Sequence, residues 1–414
     1  MSGLTLNDGA DRAIDTLDIT GDGAVNELDV SAFESLERAA RDELVSRGEP
    51  NDISVFYEGP GQSNVFAGVV HRGDGFDLSG VEGSADLRTV AIEARWAAKQ
   101  ARLTGLKPAG AKTLKDIGAR WFEGLGTERA EPASLCEMLS TLDASTFDAA
   151  KLERVAVFDL DKTIWKGSII DPFLSVLIDD ALITPVANER LAKFLMTVPG
   201  LDPDLVAAND AAANARLLKK HTTDPSLPPE QRISAKDGFF ETVALVNGLT
   251  RSEATAAARK AIDKGALDTP GMRSLIFDAG GCNSAKLIEQ LQTAGFEVYL
   301  LSATLDFLAF AAAEALGIPA DKTIGSPLEV IDGKYTGNVV LSTYGMKGSI
   351  VRAWLPSPPF IVFGDSASSD VPMMRESFGA SFMVNPGERM LKKDAELAGG
   401  RFLAVDYPGV IGNE

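Results

Sequence analysis

Residues 155–165 read VAVFDLDKTIW. Four apolar residues without alternation suit a strand covered on both faces, and such strands belong to parallel sheets flanked by helices. The run stops abruptly at Asp159, and Asp161 follows two residues later. Two more short apolar runs, Val298–Leu301 and Ile361–Phe363, also give way at once to polar residues, Ser302 and Gly364-Asp365. Ligands of open α/β sheets bind beyond the carboxyl ends of the strands. The expected fold is therefore α/β, a doubly wound parallel sheet, with Asp159, Asp161, Ser302 and Asp365 converging on one crevice.

Texture along the chain suggests three regions. Residues 1–45 are acidic, with helical runs around a Gly/Asp loop; residues 46–153 are mixed, with helical sequence such as VAIEARWAAKQARL in the second half; residues 154–414 alternate strands and helices. The N-terminal extension is expected to be rich in helix. A long insertion, about 166–280, separates the first two strands and reads as all-helical. Thr184-Pro185 suits an N-cap followed by proline at the first helical position. Thr250 to Glu253 forms a capping box, and Asn247-Gly248 before it is a helix stop. A helical block at the mouth of a sheet reads as a lid. LEVIDGKYTGNV, around Asp332-Gly333, reads as a β-hairpin.

Charge narrows the function classes. Forty Lys and Arg against fifty-nine Asp and Glu leave a net charge of −19. That sign argues against a nucleic-acid footprint and against docking on anionic lipid. Cys136 and Cys282 are too few for a disulfide framework, and with His71 and His221 they are too scattered for a zinc site. No apolar leader opens the chain, and the run Tyr299–Ile318 is broken by Asp306 and Glu314. A cytoplasmic location is expected, or a periplasmic or secreted one if a leader has been removed.

Two aspartates two residues apart at a strand end repel, and on a continuing strand both would face one side. Mg²⁺, which takes a few oxygen ligands and keeps waters, is the natural compensator, with Asp365 as a further ligand. Lys347 supplies positive charge for a transferring phosphoryl group, and Ser302 a hydroxyl and a backbone N–H.

From Val155 onward the chain resembles the haloacid-dehalogenase superfamily of phosphotransferases, in its phosphoserine-phosphatase-like branch. The motifs occur in order: D-x-D-x-T as Asp159, Asp161 and Thr163; the strand-ending serine as Ser302; the lysine as Lys347; and an acidic motif as Gly364, Asp365 and Asp370. The resemblance extends through LIEQLQTAGFEVYLLSATLDFLAFAAAEALGI, LEVIDGKYTG and GDSASSDVPMM. It implies that Asp159 attacks phosphorus to form an aspartyl-phosphate, while Asp161 protonates the leaving alkoxide and then deprotonates water. It implies a Mg²⁺ site of Asp159, the backbone carbonyl of Asp161 and Asp365, with Asp370 ordering that shell or Lys347. Ser302, Ala303 and Thr163 stand as the phosphate-binding group, with Thr163 also fixing the loop. The insertion corresponds to the helical cap of the family, which encloses small substrates, so the implied partner is a small phosphorylated metabolite.

Departures from that branch bear on the substrate. Ser302-Ala303-Thr304 stands where the phosphoserine enzymes have Ser-Gly-Gly, and Ser168 stands nine residues after Asp159, where they place a glutamate. Trp165 resembles the tryptophan of related phosphocholine phosphatases and offers an aromatic face for a quaternary ammonium. The commoner use of such a ring is to pack the family's flap, the segment after the first motif that passes the active site, against the cap. Phosphocholine and phosphoethanolamine are candidate substrates on the first reading. A phosphotransferase or mutase shares the first half-reaction and stays open.

Asp18-Ile-Thr-Gly-Asp-Gly-Ala-Val-Asn-Glu-Leu-Asp29 has the spacing of a calcium loop. Asp18, Thr20, Asp22, Asn26 and Asp29 fall at ligand positions and Gly23 at the sharp turn. The aspartate at the end resembles dockerin-type loops, and the helical run VSAFESLERAARDEL follows. Ca²⁺ binding is the expectation here, in a structural or partner-directed role with the protein partner of the N-terminal region unknown. A calcium-binding interaction protein with a vestigial phosphatase domain is the alternative whole-chain reading, which intact Asp159, Asp161, Lys347 and Asp365 oppose. An acidic turn between helices is the plainer reading of the loop.

Overall fold

The structure is a computed structural model that describes residues 27–47, 91, 94–99, 129–130, 153–165, 167–206, 210–224, 226–268, 284–339, 343–344, 346–366, 369–377, 380–385 and 402–405. Among the described residues seven strands form one parallel sheet. They are β1 (Arg129–Ala130), β2 (Val155–Phe158), β3 (Glu297–Leu305), β4 (Thr323–Ser326), β7 (Ile361–Gly364), β8 (Ala380–Val384) and β9 (Phe402–Val405). Their order is β1-β9-β8-β7-β2-β3-β4. The chain runs outward from β2 through β3 to β4, returns to the other side of β2 at β7, and continues outward again. The crevice where these directions part lies at β2, and ligands of such sheets bind there.

Alternation along β2 divides the core into two layers. Ala156 and Phe158 belong to one apolar cluster, Val155 and Val157 to another. In the first, Phe158, Phe363 and Phe382 stand in register on adjacent strands and stack, with ring centroids 4.6 and 4.7 Å apart. Full burial of each such ring contributes roughly 1.5–3 kcal/mol. The second layer contains Ala40, Ala91 and Trp96, so residues from well before β2 cover the opposite face of the sheet. Ala40 lies on α1 (Glu27–Ser46), and Trp96 in the helical stretch 94–99.

Between β2 and β3 the described chain is helical. It contains α2 (Ile170–Asp179), α3 (Pro185–Leu195), α4 (Ala211–Thr223), α5 (Ala235–Ala244), α6 (Arg251–Asp268) and α7 (Ser284–Thr293), and α8 (Asp306–Leu316) follows β3. The capping signals take the expected form. Thr184 Oγ1 accepts from the N–H of Ala187 ahead of Pro185. The Thr250 N–H donates to Glu253 at 2.8 Å while Glu253 N–H donates back to Thr250 Oγ1 at 3.2 Å. The hairpin is present as β5 (Leu328–Ile331) and β6 (Lys334–Val339). Asp332 and Gly333 at its tip have φ of 49° and 76°, a conformation that twists correctly between two strands. Tyr335 on β6 exchanges backbone hydrogen bonds with Gly248 and Leu249, which joins the hairpin to the helical insertion.

β3 departs from expectation by running through Ser302 to Leu305 instead of ending at Leu301. Its register against β4 breaks between Leu301 and Leu305, so Ser302 sits at an irregularity within the strand. No helix among the described residues is long and apolar enough to cross a membrane. Asp18, Thr20, Asp22, Asn26, Cys136, Cys282 and His71 lie outside the described residues. Asp29, the last position of the expected calcium loop, is a fully buried acid in the first turn of α1.

Candidate active site

Strand β2 delivers Asp159 to the crevice, where its backbone N–H donates to Phe363 O of β7. The strand does not continue to Asp161. The chain turns on the carbonyl of Leu160, which accepts from the N–H groups of Thr163, Ile164 and Trp165. Lys162, with φ of 60°, closes the turn by donating to Gly167 O. The expectation of two carboxylates facing one side of a strand is therefore corrected, because the turn sends them to different partners. Asp159 Oδ1 accepts from Lys347 Nζ at 2.5 Å and Oδ2 accepts from Thr163 Oγ1 at 3.1 Å. Asp161 instead accepts from the Ile169 N–H at 2.8 Å and from Ser168 Oγ at 3.3 Å.

Lys347 opens α9 (Lys347–Trp354) and is fully buried. Its ammonium lies 2.5 Å from Asp159 and 2.6 Å from Asp370. Burial favours its neutral form, but Asp159 and Asp370 more than offset this and hold it charged, above the ordinary lysine range. Asp370 precedes the short helix α10 (Val371–Met374) and spends both oxygens on protein donors. Oδ1 takes Lys347 and Ser369 Oγ; Oδ2 takes the N–H groups of Asp365 and Ser366 at 2.9 Å each. A Cβ on Gly364 would come within 2.5 Å of Asp370 Cβ, so only glycine lets the end of β7 pass this close.

Carboxylate oxygens of Asp159, Asp365 and Asp370, all buried, lie within 4.8 Å of one another. Burial, then repulsion from Asp370, lifts the Asp159 carboxyl to about 6 against the opposing pull of Lys347. Burial, with Asp370 and Asp159 beside it, raises Asp365 well above the usual range. Among the described residues three buried carboxylates share one buried ammonium, with the exposed Lys162 also acting on Asp365, and a divalent cation would balance the remaining charge. The donors are hard oxygens, which is consistent with a Mg²⁺ site. Asp161, lifted to about 7 chiefly by burial, is poised to carry a proton near neutral pH.

Ser302 is buried, and its Oγ accepts from the Thr304 N–H. Residues that the sequence reading passed over shape this part of the site. Thr343 Oγ1 donates to Ser302 O at 2.6 Å, and Ser326 Oγ donates to Ala303 O at 2.9 Å. The two hydroxyls also meet each other at 3.2 Å, which ties β3, β4 and the loop before Lys347 together. Single hydroxyls at strand ends carry no spacing signal, so only proximity reveals them. Ser168 had a signal, its position nine residues after Asp159, and its hydroxyl faces Asp161. Trp165 is only 2% exposed and belongs to the apolar cluster with Ile164, Ile169 and Phe173. His221 is buried in α4 with Nδ1 2.8 Å from Gln231 O, a contact inside the helical insertion.

The pattern described as haloacid dehalogenase-like hydrolase matches residues 156–375. The probable phosphatase Rv3661 of Mycobacterium tuberculosis (strain ATCC 25618 / H37Rv) is 32% identical over 268 residues, 63% of this chain and 78% of that protein. Among solved structures, a protein with unknown function from Bordetella pertussis Tohama I is 18% identical, covering 61% of this chain and 98% of that one, with a TM-score of 0.38. A phosphoserine phosphatase in apo form is 17% identical, covering 63% and 95%, with a TM-score of 0.33. With Asp159, Lys347 and Asp370 all inside the matched stretch, the chain belongs to the haloacid dehalogenase-like hydrolase family.

Proposed function

We propose that the protein is a Mg²⁺-dependent phosphomonoesterase that hydrolyses a small phosphorylated metabolite through an aspartyl-phosphate on Asp159. The observation that carries this reading is the division of labour within one turn of chain. Asp159 is held by Lys347 and Thr163 at the end of the central strand. Asp161 is held apart, on the flap, by Ile169 and Ser168.

In the first half-reaction an Asp159 carboxylate oxygen attacks phosphorus and the ester P–O bond breaks. The electron pair leaves with the alkoxide, which takes the proton of Asp161. In the second, Asp161 accepts a proton from water as the water oxygen attacks phosphorus. The bond to Asp159 breaks, and inorganic phosphate leaves. Lys347 and the backbone around Ser302 and Ala303 offset charge on the phosphoryl oxygens. Asp159, Asp365 and the backbone carbonyl of Asp161 would hold Mg²⁺, which when bound neutralises those same oxygens. Asp370, its oxygens taken by four donors, orders Lys347 and the 365–366 backbone.

The helical insertion with its hairpin serves as the cap that limits substrates to small molecules. Burial of the Trp165 ring favours packing over a cation cage, so no quaternary ammonium is required of the substrate. For the loop of residues 18–29 we infer Ca²⁺ binding, supported by its spacing and by the buried acid Asp29 at its last position.

A phosphate-release screen over phosphorylated metabolites tests the main reading, with Mg²⁺ or EDTA and Asp159→Asn as the control. Phosphocholine, phosphoethanolamine, phosphoserine and sugar phosphates belong in the panel. Turnover of at least one ester that requires Mg²⁺ and Asp159 is expected; turnover that survives Asp159→Asn sinks the mechanism.

A further inference from the structure

The helices that present Lys347 and Asp370 are joined a second time at their far ends. Arg352, five residues after Lys347 on α9, donates from Nε and Nη2 to Glu376 Oε1 at 3.0 and 2.7 Å. Glu376 lies two residues beyond α10 and accepts on Oε2 from Trp96 Nε1 at 2.8 Å. Arg352, Glu376 and Trp96 are 5%, 4% and 0% exposed. Arg95, next to Trp96, donates to the carbonyl of Ala353 at 3.0 Å, near the C-terminus of α9. At the catalytic end the two helices already touch, since a Cβ on Gly348 would come within 2.8 Å of Pro372 O.

We infer that Trp96 and Glu376 are positioning residues for the Lys347–Asp370 pair, so that residues 95–96 set the alignment of the phosphate-facing lysine from the far ends of α9 and α10, in the same apolar layer. This inference rests on the proposed phosphatase reading for its kinetic consequence, but not for its structural one. A buried ion pair has little slack, because either charge left alone in the core is costly. α9 and α10 touch at Gly348 and are clamped at Arg352–Glu376, two contacts that together restrict their relative rotation. The indole N–H fixes the second oxygen of Glu376 and so selects one orientation of the carboxylate. Without that bond the carboxylate can rotate, α9 gains play about the Gly348 contact, and Lys347 shifts with it. A shift of about 1 Å near reacting atoms is enough to cost a factor of a hundred in rate.

Trp96→Phe keeps the packing and removes only the N–H; Glu376→Gln keeps the shape and removes the charge. Both are assayed in the full chain with saturating Mg²⁺ and p-nitrophenyl phosphate, and both are combined with Asp370→Asn in urea unfolding cycles. We expect kcat to fall about tenfold with KM within about twofold, a split that loss of folded protein would not produce per folded molecule. In the cycle, Glu376→Gln and Asp370→Asn should be non-additive by about threefold or more in the unfolding constant. Additive cycles overturn the inference, as does an unchanged kcat in an active protein. If the wild-type protein turns over no ester, the phosphatase reading fails by itself, and the unfolding cycle still decides this one.

Discussion

Lys347 Nζ and Asp370 Oδ1 lie 2.6 Å apart in a fully buried ion pair, and the other oxygen of Asp370 holds the backbone of Asp365 and Ser366. One carboxylate thus aligns the buried ammonium of Lys347 and the loop that carries Asp365. Acceptors on both sides are what make this arrangement work, and an amide cannot supply them.

Asp370→Asn should be far more damaging than its size suggests. Whichever way the amide is flipped, its NH₂ points at donors, either Lys347 and Ser369 or the N–H groups of residues 365 and 366. Loss of about 100-fold in kcat is expected, with destabilisation of about 1–3 kcal/mol for the buried groups left unmatched. Steady-state kinetics and urea unfolding measure both, and wild-type kcat in the variant would contradict the assignment.

Lys347→Met leaves Asp159, Asp365 and Asp370 buried without their ammonium. Removing one partner of a buried pair costs about 3–5 kcal/mol. We expect a protein that is inactive and unstable in EDTA, with part of the stability restored by Mg²⁺. Equal melting temperatures with and without Lys347, both in EDTA, would refute this balance of charge.

Mg²⁺ should stabilise the wild-type protein by about 2.7 kcal/mol at a hundredfold excess over its dissociation constant. Asp365→Asn should blunt that shift while raising stability in EDTA, because burial and its neighbours already disfavour the ionised carboxyl there. Thermal unfolding with Mg²⁺ and with EDTA gives all four values. A full Mg²⁺ shift in Asp365→Asn would place the ion elsewhere.

Asp161 has a carboxyl lifted to about 7 by burial, against an unfolded value of about 3.9. The folded metal-free protein therefore binds this proton more tightly than the unfolded chain does. Its contribution to stability is present at acid pH and is lost as pH rises from about 4 through 7. Asp161→Asn, whose carbonyl still accepts from Ile169, should escape that loss. The melting-temperature advantage of the variant in EDTA should widen by on the order of 5 °C between pH 4.5 and pH 8. A constant difference would mean that the carboxyl titrates normally.

Much of the architecture was legible because it rests on local pattern. The unalternating runs at Val155, Val298 and Ile361 mark central strands, Thr184-Pro185 and Thr250 to Glu253 mark helix starts, and Asp332-Gly333 marks the hairpin tip. Motif spacing also named Asp159, Asp161, Lys347, Asp365 and Asp370 before any distance was known. Ser302 was placed one element too late, since β3 carries on through a register break that no propensity encodes. Thr343, Ser326 and the Trp96–Glu376–Arg352 network were invisible because their partners are distant in sequence, up to 280 residues apart.

By itself, then, VAVFDLDKTIW determines a buried strand that ends in acid, because hydrophobic burial and chain reversal act over a few residues. Tertiary structure alone decides what each acid does. The turn on Leu160 sends Asp159 to Lys347 and Asp161 to Ile169 and Ser168, and packing on one face of the sheet brings Trp96 behind the lysine helix. Hydrogen bonds and ion pairs depend on separations of about 3 Å, and those separations are set by the packed chain, not by order along it.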